Sequence, residues 1–329
     1  MLLRIFTFLF TLPLILMTMS DPDNPERKVE VNPGATNPYI AEYGEPRISA
    51  HRFGAGLAPE NTLMAAQAML AAENFDVDGF EFDVRITRDG KLILLHDPTF
   101  SATSNADEAF GQPLVIPELY TMEQLQVLNL GENFEIGGKA PYRGLRGDDI
   151  PEGLRVVEVG DVLAYIEANA KKEYTYIIEI KMGFQWGTQS IDRLYSILKE
   201  LDMLDRVIVG SFWPGLKYYM DWKYPDMLRS ASIFENLHFY YCARTNRPSS
   251  ELNAKYDALQ IPCADYEIFW PLSLVNLTTK EVVNYAHKND IAVQYWTVNS
   301  EEKARQLREI GGDTMMSDFP DMVWSVYGY

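Results

Sequence analysis

The sequence predicts an α/β fold, a TIM (β/α)8 barrel with a small insertion subdomain after the second strand. Three observations lead to this prediction. The chain has 329 residues, enough for one large domain. Short apolar runs alternate with helical patterns, and the strands number eight when one hairpin is left out. A doubly wound open sheet is the alternative, but we find no glycine-rich nucleotide-binding loop.

The first part of the predicted barrel is irregular. Its regular elements are a strand at residues 47–50, a helix at 61–72 and a strand at 79–83. Asp89-Gly90 then lies between two apolar runs, which indicates a hairpin. Residues 98–155 show glycine, proline and mixed polarity, with one short capped helix at 121–125. This stretch is too long for an ordinary loop, so we interpret it as an insertion subdomain.

The second part alternates regularly. Predicted helices span residues 159–169, 189–201, 215–222, 280–288 and 301–309, and predicted strands span 174–180, 206–210, 228–233, 257–261, 291–297 and 314–317. With the first two strands, these complete the eight. Catalytic groups of such a barrel are expected at the carboxyl ends of its strands.

The N-terminus has the pattern of an export signal. An apolar run follows Arg4 and ends near Met17, which is shorter than the roughly twenty residues that span a bilayer. We predict a signal peptide at residues 1–20, a mobile or surface-wrapped leader at 21–46 and the folded domain at 47–329. The prediction is a secreted or periplasmic protein with no stable membrane insertion after cleavage. An uncleaved membrane anchor is the alternative.

Charge and cysteine content narrow the classes of partner. The formal net charge of −18 argues against nucleic acid or an anionic membrane surface as the main partner, because both require a basic face. It is compatible with a soluble enzyme that carries a metal ion. Cys242 and Cys263 could form one disulfide in an oxidising compartment, or they could remain two buried thiols.

The residues with the most chemistry lie between positions 48 and 97. In an extended strand Glu81 and Asp83 point to the same side, and two such carboxylates require a cation beside them. Mg²⁺ or Ca²⁺ would serve, since both prefer oxygen ligands. His51 precedes this strand, and the hairpin would return His96 to the neighbourhood of Asp83. An ordinary strand edge is the alternative, but the two histidines favour a metal site.

A later predicted strand also carries two charged side chains on one face. Glu179 and Lys181 are two residues apart, so they share a face at the carboxyl end of the strand predicted at 174–180. An inward-facing carboxylate at this position is costly unless it binds something. A salt bridge at the surface is the alternative interpretation.

Together, these motifs resemble the signature of the glycerophosphodiester phosphodiesterase family. The family pattern is His-Arg-Gly, Pro-Glu-Asn-Thr, Glu-x-Asp, Thr-x-Asp-Gly and His-Asp, and this chain carries His51-Arg52, Pro59-Glu60-Asn61-Thr62, Glu81-Phe82-Asp83, Thr87-Arg88-Asp89-Gly90 and His96-Asp97 in that order. One position differs, because Phe53 replaces the expected glycine. We expect that bulky side chain to narrow or reorient the edge of the pocket.

The resemblance implies roles for further residues. Glu179 of the Glu-Ile-Lys motif would be the third metal ligand beside Glu81 and Asp83, and Lys181 would contact phosphate. Trp296 matches the tryptophan of the family's Trp-Thr-Val-Asn motif and would form a wall of the pocket.

These assignments predict a metal-dependent hydrolysis of glycerophosphodiesters to glycerol 3-phosphate and an alcohol. Arg52 and Lys181 would hold phosphate oxygens, while His51 and His96 would be the acid–base pair, with His51 as the base and His96 as the acid. The partner would be a small-molecule glycerophosphodiester, and the cofactor Mg²⁺ or Ca²⁺.

Two alternatives keep the site and change its use. A lysophospholipase D or sphingomyelinase D activity would need an apolar groove, which an aromatic-rich loop at residues 234–241 could supply. An exported barrel that only binds phosphodiesters would not need the two histidines. His238 could reach the mouth but is expected to be exposed or satisfied, and His287 is placed on a polar helix face without a role.

Overall fold

A computed structural model describes residues 35–263 and 277–328, and it shows the predicted barrel. Its strands are β1 Arg47–Ala50, β2 Gly79–Ile86, β3 Leu92–Leu94, β4 Thr175–Ile180, β5 Val207–Gly210, β6 Ala258–Pro262, β7 Ala292–Trp296 and β8 Thr314–Ser317. The parallel strands follow the order β5-β4-β2-β1-β8-β7-β6, and β3 pairs with β2 in the antiparallel sense as the other arm of the predicted hairpin. The TIM-barrel prediction is therefore confirmed.

Two residues close the barrel between β5 and β6. Arg229 bridges to Val209 and Ser230 bridges to Ala258, both in the parallel sense. The strand predicted at residues 228–233 is therefore reduced to these two bridges. The chain turns into a helix immediately afterwards, because Glu235 accepts hydrogen bonds from both the backbone N–H and the hydroxyl of Ser232.

The helices surround the barrel and its hairpin. They are α1 Leu63–Ala71, α2 Ala106–Phe110, α3 Met122–Leu125, α4 Val159–Ala168, α5 Phe184–Glu200, α6 Pro214–Lys223, α7 Ile233–Arg244, α8 Ser249–Leu252, α9 Lys280–Lys288, α10 Glu301–Glu309 and α11 Pro320–Tyr327. Helix α5 begins five residues before the predicted start at 189. The expectation of an aromatic-rich loop at 234–241 is wrong, because these residues lie within α7 and Phe239 packs fully into the core.

Residues 98–155 lie over the hairpin. They consist of short helices and turns around a separate apolar cluster, in which Phe100, Leu125 and Leu128 are buried together with Ile93 and Leu95. The predicted capped helix is present as α3, which starts with a reciprocal Thr121–Gln124 capping box. This cluster supports the hairpin that carries His96 to the site.

The described part of the predicted leader covers the amino-terminal end of the barrel. Tyr39 is buried there against Ile208, Ala258 and Ala292. The Asn37 amide nitrogen donates to the backbone oxygens of Asp257 at 2.7 Å and of Asp290 at 3.0 Å. The segment from residue 35 therefore wraps the domain, while the predicted signal peptide lies outside the described residues.

His287 is buried, so the prediction of a polar helix face for it is wrong. Only 1% of this residue is exposed, and its Nε2 lies 2.9 Å from an Asp313 carboxylate oxygen. Asp313 also accepts the backbone N–H groups of Val293 at 2.6 Å and Ala41 at 2.9 Å. The histidine thus shares a buried carboxylate with two chain segments at the amino-terminal end of the barrel.

Phe53, which stands where the family pattern has glycine, does not reach the pocket edge, so that expectation is wrong. Its φ of 63° lies in the left-handed region, next to Arg52 at 49°. This conformation favours glycine and directs the phenylalanine ring into the core. The ring is fully buried and stacks on Phe82 with centroids 4.9 Å apart, and it also contacts Phe80 at 5.7 Å.

We expect Phe53→Gly to destabilise the protein although it relieves backbone strain. Loss of the buried ring costs about 3–5 kcal/mol, and relief of the left-handed conformation returns about 1–2 kcal/mol. Urea unfolding should therefore show a net loss of about 1–4 kcal/mol. Phe53→Leu is the control, since it keeps the backbone strain and most of the apolar volume. A glycine variant as stable as the parent protein would contradict the packing role of Phe53.

Candidate active site

The centre of the candidate active site is a group of three carboxylates near the carboxyl end of β4 and in the part of β2 that pairs with β4. The parallel register pairs Asp83 directly with Glu179, and Glu81 lies two residues earlier on β2, on the same side. One oxygen from each of the three carboxylates lies within 4.8 Å of the others. Glu81 and Asp83 are almost completely buried. The structure thus brings together the three residues that the sequence proposed as ligands.

The carboxylates have different electrostatic surroundings. Burial raises the pKa of Glu81 to about 7 and also raises the pKa of Glu179. Burial acts in the same direction on Asp83, but the positive charge of Lys181, with His96 and Arg52, outweighs it and lowers the pKa of Asp83. The Lys181 ammonium lies 2.9 Å from Glu179 and 3.4 Å from Asp83.

Arg52 contacts the carboxylates through both its backbone and its side chain. Its backbone N–H donates to Glu81 at 2.9 Å, which the left-handed turn after β1 makes possible. Its guanidinium donates to both oxygens of Glu60, at 3.0 and 3.1 Å, and its Nε lies 3.6 Å from Asp83. The guanidinium is therefore held at the edge of the carboxylate group.

The Pro-Glu-Asn-Thr motif supports the site. Glu60 holds Arg52, while Asn61 donates to the Asp83 carboxylate at 3.0 Å and accepts the Asp83 backbone N–H at 3.1 Å. Thr62 caps helix α1 by accepting the Ala65 N–H. The sequence motif alone does not predict a role for any of these side chains.

His51 is oriented by a carboxylate from the end of β8. Its Nδ1 lies 2.6 Å from an Asp318 oxygen, and the other Asp318 oxygen accepts a hydrogen bond from Asn299 at 2.6 Å. The remaining ring nitrogen, Nε2, is 3.7 Å from Glu81. Burial would lower the pKa of His51, but the charges of Glu81 and Asp318 raise it above the usual value. Neither Asp318 nor Asn299 is among the site residues predicted from the sequence.

His96 has a similar partner but a different charge environment. Its Nδ1 lies 2.7 Å from the Asp97 carboxylate, and the side chain lines the same cavity. Burial lowers the pKa of His96, and this outweighs the opposite effect of Asp83. In both histidines Nδ1 is hydrogen-bonded to a carboxylate, which leaves Nε2 as the nitrogen available for proton transfer.

The cavity has a charged side and an apolar side. It encloses about 1000 Å³ with its open mouth included. The charged side contains His51, Arg52, Glu81, Asp83, His96, Glu179 and Lys181. The apolar side contains Ile177, Phe212, Ala231, Ile233, Pro262, Leu277, Trp296 and Met316. Trp296 is thus on the wall where the sequence placed it, and all eight predicted site residues line one cavity.

The remaining histidine and the cysteines lie elsewhere. His238 is exposed on α7, and its Nε2 is 3.5 Å from the Cys242 sulfur, as expected for a satisfied or exposed side chain. Cys242 and Cys263 are both buried and are not joined by a disulfide, so the disulfide alternative is wrong. Among the described residues, no helix has both the length and the apolar character needed to cross a membrane.

Comparison with known proteins agrees with this geometry. The Glycerophosphoryl diester phosphodiesterase family profile matches residues 51–322. A glycerophosphodiester phosphodiesterase of Caldanaerobacter subterraneus is 27% identical over 275 residues, which cover 83% of this chain and 94% of that protein.

Two solved structures share the fold. The glycerophosphoryl diester phosphodiesterase domain of a Mycobacterium tuberculosis protein is 18% identical with a TM-score of 0.63, covering 84% of this chain and 97% of that one. An Oleispira antarctica phosphodiesterase in complex with the product sn-glycerol-3-phosphate is 18% identical with a TM-score of 0.59, covering 85% and 96%.

The family profile spans the barrel from His51 at the first strand end to the last helix, and it includes the whole charged side of the cavity. The chain therefore belongs to the glycerophosphoryl diester phosphodiesterase family of phosphoric diester hydrolases, as its motifs indicated.

Proposed function

We propose that this protein hydrolyses glycerophosphodiesters to glycerol 3-phosphate and an alcohol, that the reaction requires a divalent cation, and that His51 and His96 transfer the protons. The observation that carries the proposal is the group of three carboxylates, two buried and one partly buried, in a cavity that also holds two carboxylate-oriented histidines. The product complex of the Oleispira antarctica relative supports the substrate class.

The donor set fits a hard divalent cation. Three carboxylates face two fixed positive charges, Arg52 and Lys181, and Arg52 is also paired with Glu60. Burial raises the pKa of Glu81, and the negative charges of Asp83 and Glu179 act in the same direction. A phosphodiester is itself an anion, so it would be repelled by the carboxylates alone. Mg²⁺ or Ca²⁺ held by Glu81, Asp83 and Glu179 would supply positive charge to a phosphoryl oxygen.

Side chains around the carboxylates would position the substrate. Lys181 and Arg52 lie at the edge of the carboxylate group, where their N–H groups can bind the other phosphoryl oxygens. The apolar wall formed by Phe212 and Trp296 would exclude water from the opposite side of the substrate.

The two histidines would share the proton transfers. Because His51 Nε2 lies 3.7 Å from Glu81, a nucleophile beside the carboxylates could give its proton to that nitrogen. His96, supported by Asp97, would then donate a proton to the leaving alcohol. A bound cation would neutralise the Glu81 charge that raises the pKa of His51, so the pKa direction alone does not assign the roles.

Chelation should abolish phosphodiesterase activity, and Mg²⁺ or Ca²⁺ should restore it, because the uncompensated carboxylates repel the substrate. Glu81→Gln should stay inactive after metal is added.

The pKa of Glu81 is raised in the folded state from 4.5 to about 7, so the folded protein binds a proton that the unfolded chain releases. The apoprotein should therefore lose stability as pH rises from about 4.5 to 7, and Glu81→Gln should remove that loss.

Glu118→Gln provides the matched control for this prediction. Glu118 is another buried glutamate, bound to Arg85 at 3.1 Å outside the cavity. Its replacement should lower stability while leaving activity per folded molecule unchanged. Full activity of the parent protein in excess chelator would refute the metal requirement.

Alanine at either histidine should lower turnover of glycerophosphocholine by about a hundredfold or more, the usual size of one acid–base contribution. Substrates with different leaving groups distinguish the acid role from the base role. With bis-p-nitrophenyl phosphate, whose phenolate needs little protonation, His96→Ala should lose much less activity than with glycerophosphocholine. His51→Ala should lose activity on both substrates equally. Identical responses of the two variants to the leaving group would show that the roles are not separate.

We also propose that the protein is secreted or periplasmic, on the basis of its N-terminal apolar segment. Expression of the full chain in a bacterial host followed by fractionation and N-terminal sequencing should give a periplasmic or external protein that begins near Asp21. An uncleaved protein in the membrane fraction would support the anchor alternative instead.

A further inference from the structure

Uncharged polar side chains interrupt the apolar side of the cavity. They are Ser211, Ser230, Asn236 and Gln260. The hydroxyl of Ser211 is occupied by the fold, because it donates to the Ile180 backbone oxygen at 2.8 Å and accepts the Trp213 N–H at 3.2 Å. Each of the other three has a polar atom without a hydrogen-bond partner in the described part of the chain. We call Ser230, Asn236 and Gln260 the polar patch.

Asn236 contributes a buried acceptor to this patch. Only 8% of the residue is exposed, and its Nδ2 donates to the backbone oxygens of Ala231 and Ser232, both at 3.1 Å. These two carbonyl groups fix the orientation of the amide. Its Oδ1 has no partner among residues 35–263 and 277–328. A buried oxygen in this state is unfavourable until a donor reaches it.

Gln260 and Ser230 reach the cavity beside Gly210. The Gln260 Nε2 donates to Gln294 Oε1 on the neighbouring strand β7 at 3.2 Å. The Gln260 Oε1 lies 2.7 Å from the point that a Cβ at Gly210 would occupy, and the Ser230 Oγ lies 3.5 Å from the same point. Glycine at position 210 therefore leaves the space in which these two polar groups meet the cavity.

The strand register places the polar patch close to the carboxylates. Gly210 on β5 pairs with Glu179 on β4, which in turn pairs with Asp83 on β2. Neighbouring strands lie about 4.8 Å apart, so the backbone beneath the patch is one strand spacing from Glu179. A phosphate ester bound at the carboxylates would therefore bring a short alcohol substituent within reach of the patch.

The chemistry of the patch favours a ligand with hydroxyl groups. Its two amide oxygens accept hydrogen bonds, and the serine hydroxyl can both donate and accept. None of the three side chains carries a charge, so a phosphate would meet no opposite charge there. A trimethylammonium group has no N–H to offer the two oxygens. Hydroxyl groups donate and accept, so they can satisfy all three side chains.

The topology indicates which end of the substrate faces the patch. His96 enters the cavity from the hairpin, whose strand β3 pairs with β2. The patch lies on the other side of β4, at β5 and β6. Under the proposed function His96 protonates the leaving alcohol. The alcohol that faces the patch is then the one that stays on the phosphate, which is glycerol.

We propose that the polar patch binds the hydroxyl groups of the glycerol moiety, so that Ser230, Asn236 and Gln260 determine the selectivity for a hydroxyl-bearing ester. This inference rests on the proposed function, because the phosphate must lie at the carboxylate group. The patch selects through hydrogen bonds that an ester without hydroxyl groups cannot make, and such an ester leaves its buried oxygens unpaired.

The test measures the dissociation constants of sn-glycerol 3-phosphate and propyl phosphate by calorimetry, with Mg²⁺ present. The parent protein should bind glycerol 3-phosphate more tightly than propyl phosphate by about tenfold or more. Ser230→Ala and Gln260→Met should each lower this preference by about three- to tenfold, with little change for propyl phosphate. Any hydroxyl contact to the cation is common to parent and variants, so it cancels in the comparison.

Gly210→Ala tests the same contact without removing any residue of the patch. The new Cβ would displace the flexible end of Gln260, whose Oε1 lies 2.7 Å from that position. This variant should also lower the preference for glycerol 3-phosphate over propyl phosphate. It therefore tests the position of Gln260 even if Gln260→Met fails to fold because Gln294 has lost its donor.

Ser211→Ala is the matched control. It removes a serine hydroxyl from the same side of the cavity, but one that the backbone of Ile180 already binds. The preference for glycerol 3-phosphate should therefore equal that of the parent protein. Phosphoethanolamine is the control ligand, since it carries a phosphate without glycerol, and Ser230→Ala should bind it as the parent protein does.

Three results would overturn the proposal. The first is a parent protein that binds both phosphate esters equally, and the second is a preference that stays unchanged in Ser230→Ala, Gln260→Met and Gly210→Ala. The third is an equal loss for phosphoethanolamine and glycerol 3-phosphate, which would show a general effect on the site. A parent protein that shows the predicted preferences but hydrolyses no glycerophosphodiester would instead reject the proposed function.

Discussion

The repulsion among three carboxylates, two of them buried and the third partly buried, is the constraint on which the rest of the site depends. Glu81, Asp83 and Glu179 place an oxygen each within 4.8 Å of the others, in surroundings that raise the pKa of two of them. Such a cluster is stable only when positive charge and hydrogen-bond donors meet it. Lys181 and the Arg52 backbone N–H provide part of this compensation within the chain. The proposed function requires a divalent cation to supply the rest of the positive charge that compensates the carboxylates.

The barrel supplies the geometry for this cluster. The β2–β4 register sets Asp83 opposite Glu179, and the left-handed turn after β1 directs the Arg52 N–H to Glu81. The same turn forces Phe53 into a conformation that suits glycine, and burial of its ring against Phe82 offsets the strain. The strain at Phe53 is therefore compensated by core packing.

Spacing along the chain identified site residues with close sequence neighbours, whereas the roles of Glu179 and Trp296 came from the resemblance to the family. Period-two spacing placed Glu81 beside Asp83, and the Asp-Gly hairpin returned His96 to them. It could not find the Asp318–His51 pair, because these residues are 267 positions apart and meet only when β8 closes against β1. The burial of His287 depends in the same way on Asp313 of a distant segment. The strand predicted at 228–233 is too long at its carboxyl end, because the Ser232–Glu235 contacts start a helix there.

The most direct test of this account is anomalous diffraction from crystals grown with Mn²⁺, which can replace Mg²⁺ at an oxygen site. The account predicts one strong anomalous peak bounded by the carboxylates of Glu81, Asp83 and Glu179, and its absence in Glu81→Gln crystals. If protein that is active under the same conditions shows no peak between these carboxylates, or shows one only elsewhere, the buried cluster is not the metal site and the account is wrong.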